Sequence, residues 1–126
     1  MSRQLYEEKI LEHYQEPHNE GTIDDADMDA HVENPHCGDA FTFTAALDDG
    51  IISDIRFEGE GCALSIASAS MLTERVEERP VEDAIDVGQE DILDMMGIQK
   101  DAVAPVRMKC ILLARDGIEA MVNKDA

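Results

Sequence analysis

The 126-residue chain has no tryptophan, few aromatic residues and few cations. Ten lysines and arginines stand against 29 aspartates and glutamates, which gives a formal net charge of −19. Such a chain is a poor partner for nucleic acids and anionic membranes, because binding to phosphate groups requires a basic surface. The sequence also contains no run of the ~20 apolar residues that a membrane-spanning helix needs. We therefore expect neither a nucleic-acid partner nor a membrane partner.

The chain also lacks internal repeats, linkers and a secretory signal pattern in its first residues, MSRQLYEEKILEHY. These absences predict a single domain over residues 1–126 and a cytoplasmic location. Only three cysteines are present, and they lie 25 and 48 residues apart. In a reducing compartment, an odd number at such spacings favours metal, redox or buried thiols over a disulfide framework.

Two neighbouring segments predict a β-hairpin. Apolar and polar residues alternate in DAFTFTAAL and again in IISDIRFEGE, and the DDG between them is a turn signal. A three-residue loop over 48–50 would bring the two apolar faces together and would pair Phe41 with Phe57 and Phe43 with Ile55. We therefore predict this register for the hairpin.

The predicted register, extended past the open end of the hairpin, brings two cysteine-bearing segments together. Asp39 falls opposite Gly59 and Cys37 falls opposite Gly61, so Cys62 lands next to Cys37. Cys37 and Asp39 are two residues apart in extended chain, and they therefore point to the same side of the sheet. That side is the apolar one, which we expect helices to cover.

Helices are predicted on both sides of this hairpin in the sequence. They are residues 4–15, the small-residue stretch CALSIASASMLTERVEE, a segment within 88–97 and a last helix that starts at Pro105. Residues 18–36 are polar and irregular, with one short extended piece. We expect an α+β fold in which a small antiparallel β-sheet is covered on one face by helices.

The third cysteine reaches the same corner under one condition. Cys110 lies about one and a half turns into the last helix, and it meets Cys37 and Cys62 only if that helix packs with its N-terminus there. With Asp39, three such thiolates would suit a tetrahedral metal ion or an iron–sulfur cluster. Three unrelated buried thiols are the alternative, since cysteine is among the most buried residue types.

The single carboxylate bears on the purpose of such a site. A closed structural zinc site normally uses four cysteine or histidine ligands, whereas one hard carboxylate among thiolates can dissociate. This donor set predicts a site that loads and unloads. Arg107 and Lys109 lie beside Cys110 and are candidates for offsetting the ligands' negative charge, although they also suit an ordinary positive flank. His36, next to Cys37, is either a spare ligand or an exposed loop residue.

Four segments of the chain resemble the IscU/SufU/NifU-type family of iron–sulfur cluster assembly scaffolds. They are HYQEPHNEG, NPHCGD, FEGEGCALSIASASMLTE and APVRMKCILLARDGI, and the resemblance covers about residues 5–122, taken as the core of the domain. It implies a SufE/NifU-like fold and ligation of a cluster or zinc by Cys37, Cys62 and Cys110. It also implies that Asp39 assists ligation and keeps the cluster transferable.

The resemblance leaves the branch of the family open. IscU-type members carry a histidine before the third cysteine, where this chain has Lys109, and VRMKC is more similar to SufU, whose members are often zinc-bound. The 48-residue gap between Cys62 and Cys110 is nevertheless short for the insertion typical of SufU. The segment APV before Arg107 lacks the Leu-Pro-Pro run of IscU-type scaffolds, which argues against a dedicated Hsp70 partner.

Two functions follow from the resemblance. The first is a scaffold that builds a 2Fe–2S cluster from iron and desulfurase-derived sulfur, with Cys110 as the sulfur acceptor, and passes it to apo iron–sulfur proteins. The second is a zinc-bound sulfurtransferase that accepts persulfide sulfur from a cysteine desulfurase; a purely structural zinc module is a third interpretation. A scaffold is not an enzyme in the ordinary sense, and we expect a monomer or a weak homo-oligomer.

The acidic residues are dispersed, which is typical of a solvated surface, and their repulsion destabilises the compact state unless counterions screen it. We therefore expect a protein adapted to high salt, with a Tm at least about 4 °C higher in molar KCl than in dilute buffer. Thermal unfolding followed by circular dichroism in the two buffers measures this difference. Equal Tm values would contradict the prediction.

Overall fold

The computed structural model describes residues 3–35 and 38–124, and the side chains of residues 8–35 and 38–123. In this part of the chain one helix precedes three strands, and the remaining helices follow them. The elements are α1 (Arg3–Gln15), β1 (Met28–Asn34), β2 (Asp39–Asp48), β3 (Ile51–Glu60), α2 (Ala63–Val76), α3 (Val81–Ile85), α4 (Gln89–Met96), a short 3₁₀ turn (Lys100–Ala102) and α5 (Pro105–Lys124). All four predicted helices are confirmed.

The three strands form one antiparallel sheet in the order β1-β2-β3. The extended piece expected within residues 18–36 is the seven-residue strand β1, whose last residue, Asn34, pairs with Asp39 at the start of β2. Helix α5 packs against β1 and β2, and α2 packs against β3. The other face carries exposed acids such as Glu33 and Glu58. The expected α+β architecture, with helices on one face of the sheet, is confirmed.

The turn of the β2–β3 hairpin is shorter than predicted. Asp48 pairs with Ile51, which leaves a two-residue turn at Asp49 and Gly50. Their φ angles of 53° and 79° are both positive, as a type I′ turn requires. This turn matches the twist of the two strands, and the predicted three-residue loop over 48–50 is wrong.

A β-bulge compensates for the shorter turn. β3 contains one extra residue, Ser53, which has no paired residue in β2. The two-residue turn alone would place apolar residues of one strand opposite polar residues of the other, and the extra residue restores the side-chain parity. Ile52 before the bulge and Ile55 after it are therefore both fully buried.

The two changes shift the pairing of the aromatic residues by two positions. Phe43 lies opposite Phe57, and Phe41 lies opposite Gly59, so the predicted pairs of Phe41 with Phe57 and of Phe43 with Ile55 are wrong. Because the error is an even number of residues, the predicted buried face is right. The three phenylalanine rings form the centre of the core, with centroids 5.8 to 6.2 Å apart.

Helix α2 packs against β3 on one side and against α1, α4 and α5 on others, and its small residues allow this close packing. Ser65, Ser68, Ser70 and Thr73 are all fully buried, and each hydroxyl has a hydrogen-bond partner. Ser68 Oγ donates to the carbonyl of Ile111 at 2.7 Å. This bond ties α2 directly to α5.

A buried histidine fixes α1 on α2. His13 is 4% exposed, and its Nδ1 lies 2.7 Å from Ser70 Oγ, which also accepts the backbone N–H of His18. Burial lowers the pKa of the His13 imidazole, and the neighbouring His18 lowers it further. The neutral imidazole is thus the form that packs between the two helices.

Helix α5 approaches the sheet closely at Gly117. A Cβ at this position would lie 2.5 Å from Cε2 of Phe43 and 3.0 Å from Cγ2 of Val32. Glycine inside a helix costs about 1 kcal/mol relative to alanine, and the close packing offsets this cost. The contact therefore sets the depth at which α5 lies on the sheet. No helix in the described part of the chain is long and apolar enough to cross a bilayer.

Replacing Gly117 with alanine should destabilise the protein although alanine is the better helix former. The added methyl group meets Phe43, and overpacking of this kind costs about 1–3 kcal/mol. This outweighs the gain of about 1 kcal/mol in helix propensity, by up to about 2 kcal/mol. Ala120→Gly at an exposed position of the same helix is the control and should cost about 1 kcal/mol. Urea unfolding measures both variants, and a Gly117→Ala protein more stable than the wild type would contradict the packing described.

Candidate metal centre

Three of the four predicted ligand residues converge at one end of the sheet. Asp39 begins β2, Cys62 directly precedes α2, and Cys110 lies in the second turn of α5. Their ligand atoms, one carboxylate oxygen and two Sγ atoms, all lie within 4.8 Å of one another. A tetrahedral zinc site with bonds of about 2.0–2.3 Å places its ligand atoms about 3.5–3.8 Å apart. The distances between the three atoms would therefore have to shorten by about 1 Å for them to bind one zinc ion.

The fourth predicted ligand, Cys37, and its neighbour His36 lie outside the described residues. On either side of them, Asn34 pairs with Asp39, and the Gly38 N–H donates to the Asn34 carbonyl at 2.9 Å. Ligation by Cys37 therefore stays a prediction, as does a role for His36.

The predicted route to this convergence was partly wrong. Gly59 lies opposite Phe41 and not opposite Asp39, and the predicted pair of Cys37 with Gly61 involves a residue outside the described part. The two-residue shift instead brings Asp39 next to Gly61, where an added Cβ would lie 3.1 Å from Asp39 Oδ1. The predicted side of the sheet was right, because Asp39 is buried on the same face as Phe41.

Asp39 is a buried carboxylate with one oxygen bonded and the other without a partner. The residue is 1% exposed, and Oδ1 accepts the backbone N–H of Cys62 at 3.1 Å. Oδ2 has no hydrogen-bond partner among the described residues. Because leaving a buried polar atom unpaired costs about 1–3 kcal/mol, a carboxylate oxygen of this kind beside two thiols fits the binding of a metal ion.

Cys62 occupies the N-cap position of α2. Its φ of −76° and ψ of 170° are extended, and the helix begins at the next residue. The free N–H groups and the dipole at this end of a helix favour negative charge on the sulfur. Cys62 Sγ lies 3.4 Å from Ser65 Oγ, and the Ser65 hydroxyl donates to the Cys62 carbonyl at 3.0 Å.

Cys110 is the more buried of the two described thiols, at 3% exposure. Its thiol donates to the carbonyl of Val106 one turn earlier, at 3.5 Å, and Asn34 Nδ2 lies 4.0 Å from the sulfur. Strand β1 and helix α5 therefore meet at this atom. The condition that α5 pack with its N-terminal end at the hairpin's open end is met.

Two glycines at the end of β3 make room for these contacts. A Cβ at Gly61 would lie 2.5 Å from Ser65 Oγ and 3.0 Å from Cζ of Phe41. Gly59 has a φ of 144°, and a Cβ there would lie 1.9 Å from the carbonyl oxygen of Ala40. The sequence FEGEGC thus ends a strand against its neighbour and still leaves space for the centre.

A family model described as "NifU-like N terminal domain" matches residues 5–125. The chain belongs to this family. Its relatives include the "Zinc-dependent sulfurtransferase SufU" of Bacillus subtilis, 35% identical over 135 residues, with 96% of this chain and 91% of the relative covered. The "Iron-sulfur cluster assembly scaffold protein IscU" of Escherichia coli is 35% identical over 121 residues, with 93% and 91% covered.

Solved structures show the same fold. A crystal structure of a nitrogen-fixing NifU-like protein (N-terminal) from Brucella abortus superposes with a TM-score of 0.77 at 22% identity. The superposition covers 95% of this chain and 93% of the Brucella abortus chain. The fold is that of a NifU-like domain. The family model and the relatives place the chain in the IscU/SufU iron–sulfur cluster assembly scaffold family, and the SufU and IscU relatives are equally similar to it, at 35% identity.

The two predicted cations make no contact that supports a role in this NifU-like centre. Arg107 and Lys109 are exposed, and neither forms an ion pair with any residue that the structure describes. Among the described residues, two neutral side chains that can donate hydrogen bonds lie beside the sulfurs, Asn34 next to Cys110 and Ser65 next to Cys62. A charge-offsetting role for Arg107 and Lys109 stays a prediction.

Asn34 and Ser65 are the site residues that the sequence analysis missed. Ser65 follows Cys62 by three residues at the start of a helix, a spacing that places two side chains near each other. That spacing was a usable signal. Asn34 gave none, because its proximity to Cys110 depends on how β1 pairs with β2 and how α5 crosses them.

Asp39→Asn tests whether the unpartnered oxygen binds metal. Asparagine keeps an oxygen for the Cys62 N–H, but its amide nitrogen cannot bind a cation. We expect zinc affinity to fall by at least about 100-fold, the upper end for loss of a ligand's supporting partner, with a smaller loss of stability than in Asp39→Ala. Competition with a chelator measures the affinity.

Glu58→Gln is the matched control, since it removes one exposed carboxylate from β3 and changes the net charge equally. Its zinc affinity should equal that of the wild type. If Asp39→Asn also bound zinc as the wild type does, Asp39 would not be a ligand.

Proposed function

We propose that the protein is an iron–sulfur cluster assembly scaffold that builds a 2Fe–2S cluster from iron and desulfurase-derived sulfur and transfers it to apo iron–sulfur proteins. The observation that carries the proposal is the convergence of the Asp39, Cys62 and Cys110 ligand atoms within 4.8 Å in a chain of this family. We further propose that Cys37 completes the set, and that the protein acts in the cytoplasm with a cysteine desulfurase.

The donor set supports delivery over permanent binding. Two thiols provide soft ligands, and Asp39 provides a hard one that binds a soft centre more weakly. The same carboxylate keeps its bond to the Cys62 N–H through Oδ1, so it stays in place when Oδ2 releases the metal. The cluster is the cargo of this reaction, and the chain's residues hold it until an acceptor takes it.

Cys110 is the proposed sulfur acceptor. Its thiolate attacks the outer sulfur of the desulfurase persulfide, a new S–S bond forms at Cys110, and the desulfurase cysteine leaves as a thiolate. This exchange needs no external oxidant or reductant, whereas conversion of the transferred sulfur to the sulfide of a cluster takes two electrons from an external reductant. Because Cys110 is 3% exposed, the beginning of α5 has to move before a partner's persulfide reaches it.

A zinc-dependent sulfurtransferase is the second candidate function. SufU of Bacillus subtilis carries that name and matches 96% of this chain, and Lys109 stands where IscU-type members have a histidine. Bound zinc would keep the thiols deprotonated between transfers. Cys110 would accept sulfur in the same way, and no cluster would need to form.

Anaerobic reconstitution distinguishes the two functions. The protein is incubated with Fe(II), a cysteine desulfurase, cysteine and a reductant, and visible absorption is followed. A scaffold develops a cluster spectrum that moves to an added apo-ferredoxin. A zinc-dependent sulfurtransferase raises the turnover of the desulfurase and gives no transferable cluster.

Serine variants assign the acceptor in the same assay. We expect Cys110→Ser to abolish stimulation of the desulfurase, and Cys62→Ser to retain it in part. The reverse result would assign sulfur acceptance to Cys62, the more accessible of the two described thiols. A wild-type protein that neither forms a cluster nor stimulates the desulfurase would contradict both functions.

A further inference from the structure

The hydroxyl of Ser65 touches the Cys62 sulfur from within the core. We propose that Ser65 is a positioning residue of the metal centre, which holds the Cys62 sulfur in place and donates a hydrogen bond to its thiolate when a metal is bound. The proposal rests on the proposed function, in which Cys62 is a ligand. It adds a residue that acts through the ligand and does not itself bind the metal.

Among the described residues, the hydrogen-bond contacts of the Ser65 hydroxyl are both to Cys62. The residue is fully buried, with Oγ 3.4 Å from Cys62 Sγ and 3.0 Å from the Cys62 carbonyl oxygen. An N-cap serine accepts a hydrogen bond from a free N–H of the first turn. Ser65 is the third residue of α2 and donates to a carbonyl, so helix capping does not explain its hydroxyl.

One hydroxyl hydrogen can serve the two protonation states of Cys62. With a neutral thiol, the S–H donates to Ser65 Oγ while the serine O–H donates to the Cys62 carbonyl. Metal binding removes the thiol proton, and the thiolate, as a charged group, is then the stronger acceptor. Rotation about the Cβ–Oγ bond of Ser65 is enough to turn the hydrogen toward the sulfur.

The Cys62 carbonyl is not left unpaired by this rotation. It also accepts the N–H of Ile66 at 3.0 Å, the first bond of the helix ladder. The N–H of Cys62 is taken by Asp39. Every polar group of Cys62 therefore keeps a partner both as the neutral thiol and as the metal-bound thiolate. Polar groups shielded from water require such partners, so the metal can bind and leave without unpairing any of them.

The space around Ser65 is built for this contact. A Cβ at Gly61 would lie 2.5 Å from Ser65 Oγ, so a larger residue there would push the hydroxyl away from the sulfur. Hydrogen bonds to ligand atoms orient metal ligands and tune their affinity. Ser65 supplies such a bond without adding a further ligand or a charge.

Ser65→Ala is tested against Thr73→Val. Both changes remove one fully buried hydroxyl that donates to a backbone carbonyl, but Thr73 bonds Ala69 near the C-terminal end of α2, and no described contact joins it to a sulfur. Any effect common to both variants reports packing, and an effect of Ser65→Ala alone reports the sulfur contact.

The metal-free arm uses the infrared S–H stretch in a Cys37→Ser/Cys110→Ser background, where Cys62 is the one remaining thiol. We expect Ser65→Ala to shift this band to higher frequency, because the S–H loses its acceptor. Thr73→Val should leave the band in place. An unmoved band in Ser65→Ala would overturn the proposal.

The metal arm uses the chain with all three cysteines. Ser65→Ala should bind Zn²⁺ about 10-fold or more weakly and should shift the thiolate-to-metal charge-transfer band of the Co²⁺ form to longer wavelength. Wild-type values in Ser65→Ala, or equal changes in Thr73→Val, would overturn the proposal. A wild-type protein that binds neither metal nor cluster would contradict the proposed function instead, and the infrared arm would still decide whether Ser65 holds the sulfur.

Discussion

The hydrogen bond from the Cys62 N–H to Asp39 Oδ1 is the interaction on which the candidate centre depends. At 3.1 Å it joins the first residue of β2 to the N-cap of α2, so the open end of the hairpin and the first turn of the helix form one unit. A carboxylate acceptor at a helix N-terminus also stabilises the helix by about 1 kcal/mol. Because its second oxygen has no partner among the described residues, the carboxylate that binds the N-cap residue of α2 also presents a candidate ligand atom beside two sulfurs.

Cys110 is brought to this unit by packing along α5 and not by its local sequence. The bond from Ser68 to Ile111 fixes how α5 is placed along α2, and Gly117, two turns further on, sets how deeply α5 lies against Phe43. A helix is stiff over this length, so these contacts together determine where the Cys110 sulfur lies. The position of a ligand therefore depends on a glycine that is not part of the centre.

The sequence was sufficient to predict the four main helices, the strands of the hairpin and the buried face of the sheet. It was not sufficient to predict which residues of the two strands pair. Side-chain parity survives an error of two residues, which is why Asp39 was expected on the correct side although its partner was wrong. Asp49-Gly50 is a recognisable type I′ turn signal, but nothing in the residue type of Ser53 marks a bulge. The ligand residues came from local geometry and family resemblance together, whereas Asn34 became visible only through the packing of β1 against α5.

The neutral donors beside the sulfurs are consistent with the charge of the whole chain. At molar salt the screening length is about 3 Å, so exposed cations such as Arg107 and Lys109 would offset thiolate charge less the higher the salt concentration. In the proposed metal-bound state, hydrogen bonds from the Asn34 and Ser65 side chains to the two sulfurs would not depend on mobile ions in this way. The net charge of −19 predicts a high-salt environment, and such hydrogen bonds would offset the negative charge of the proposed ligands there without being weakened by ionic strength.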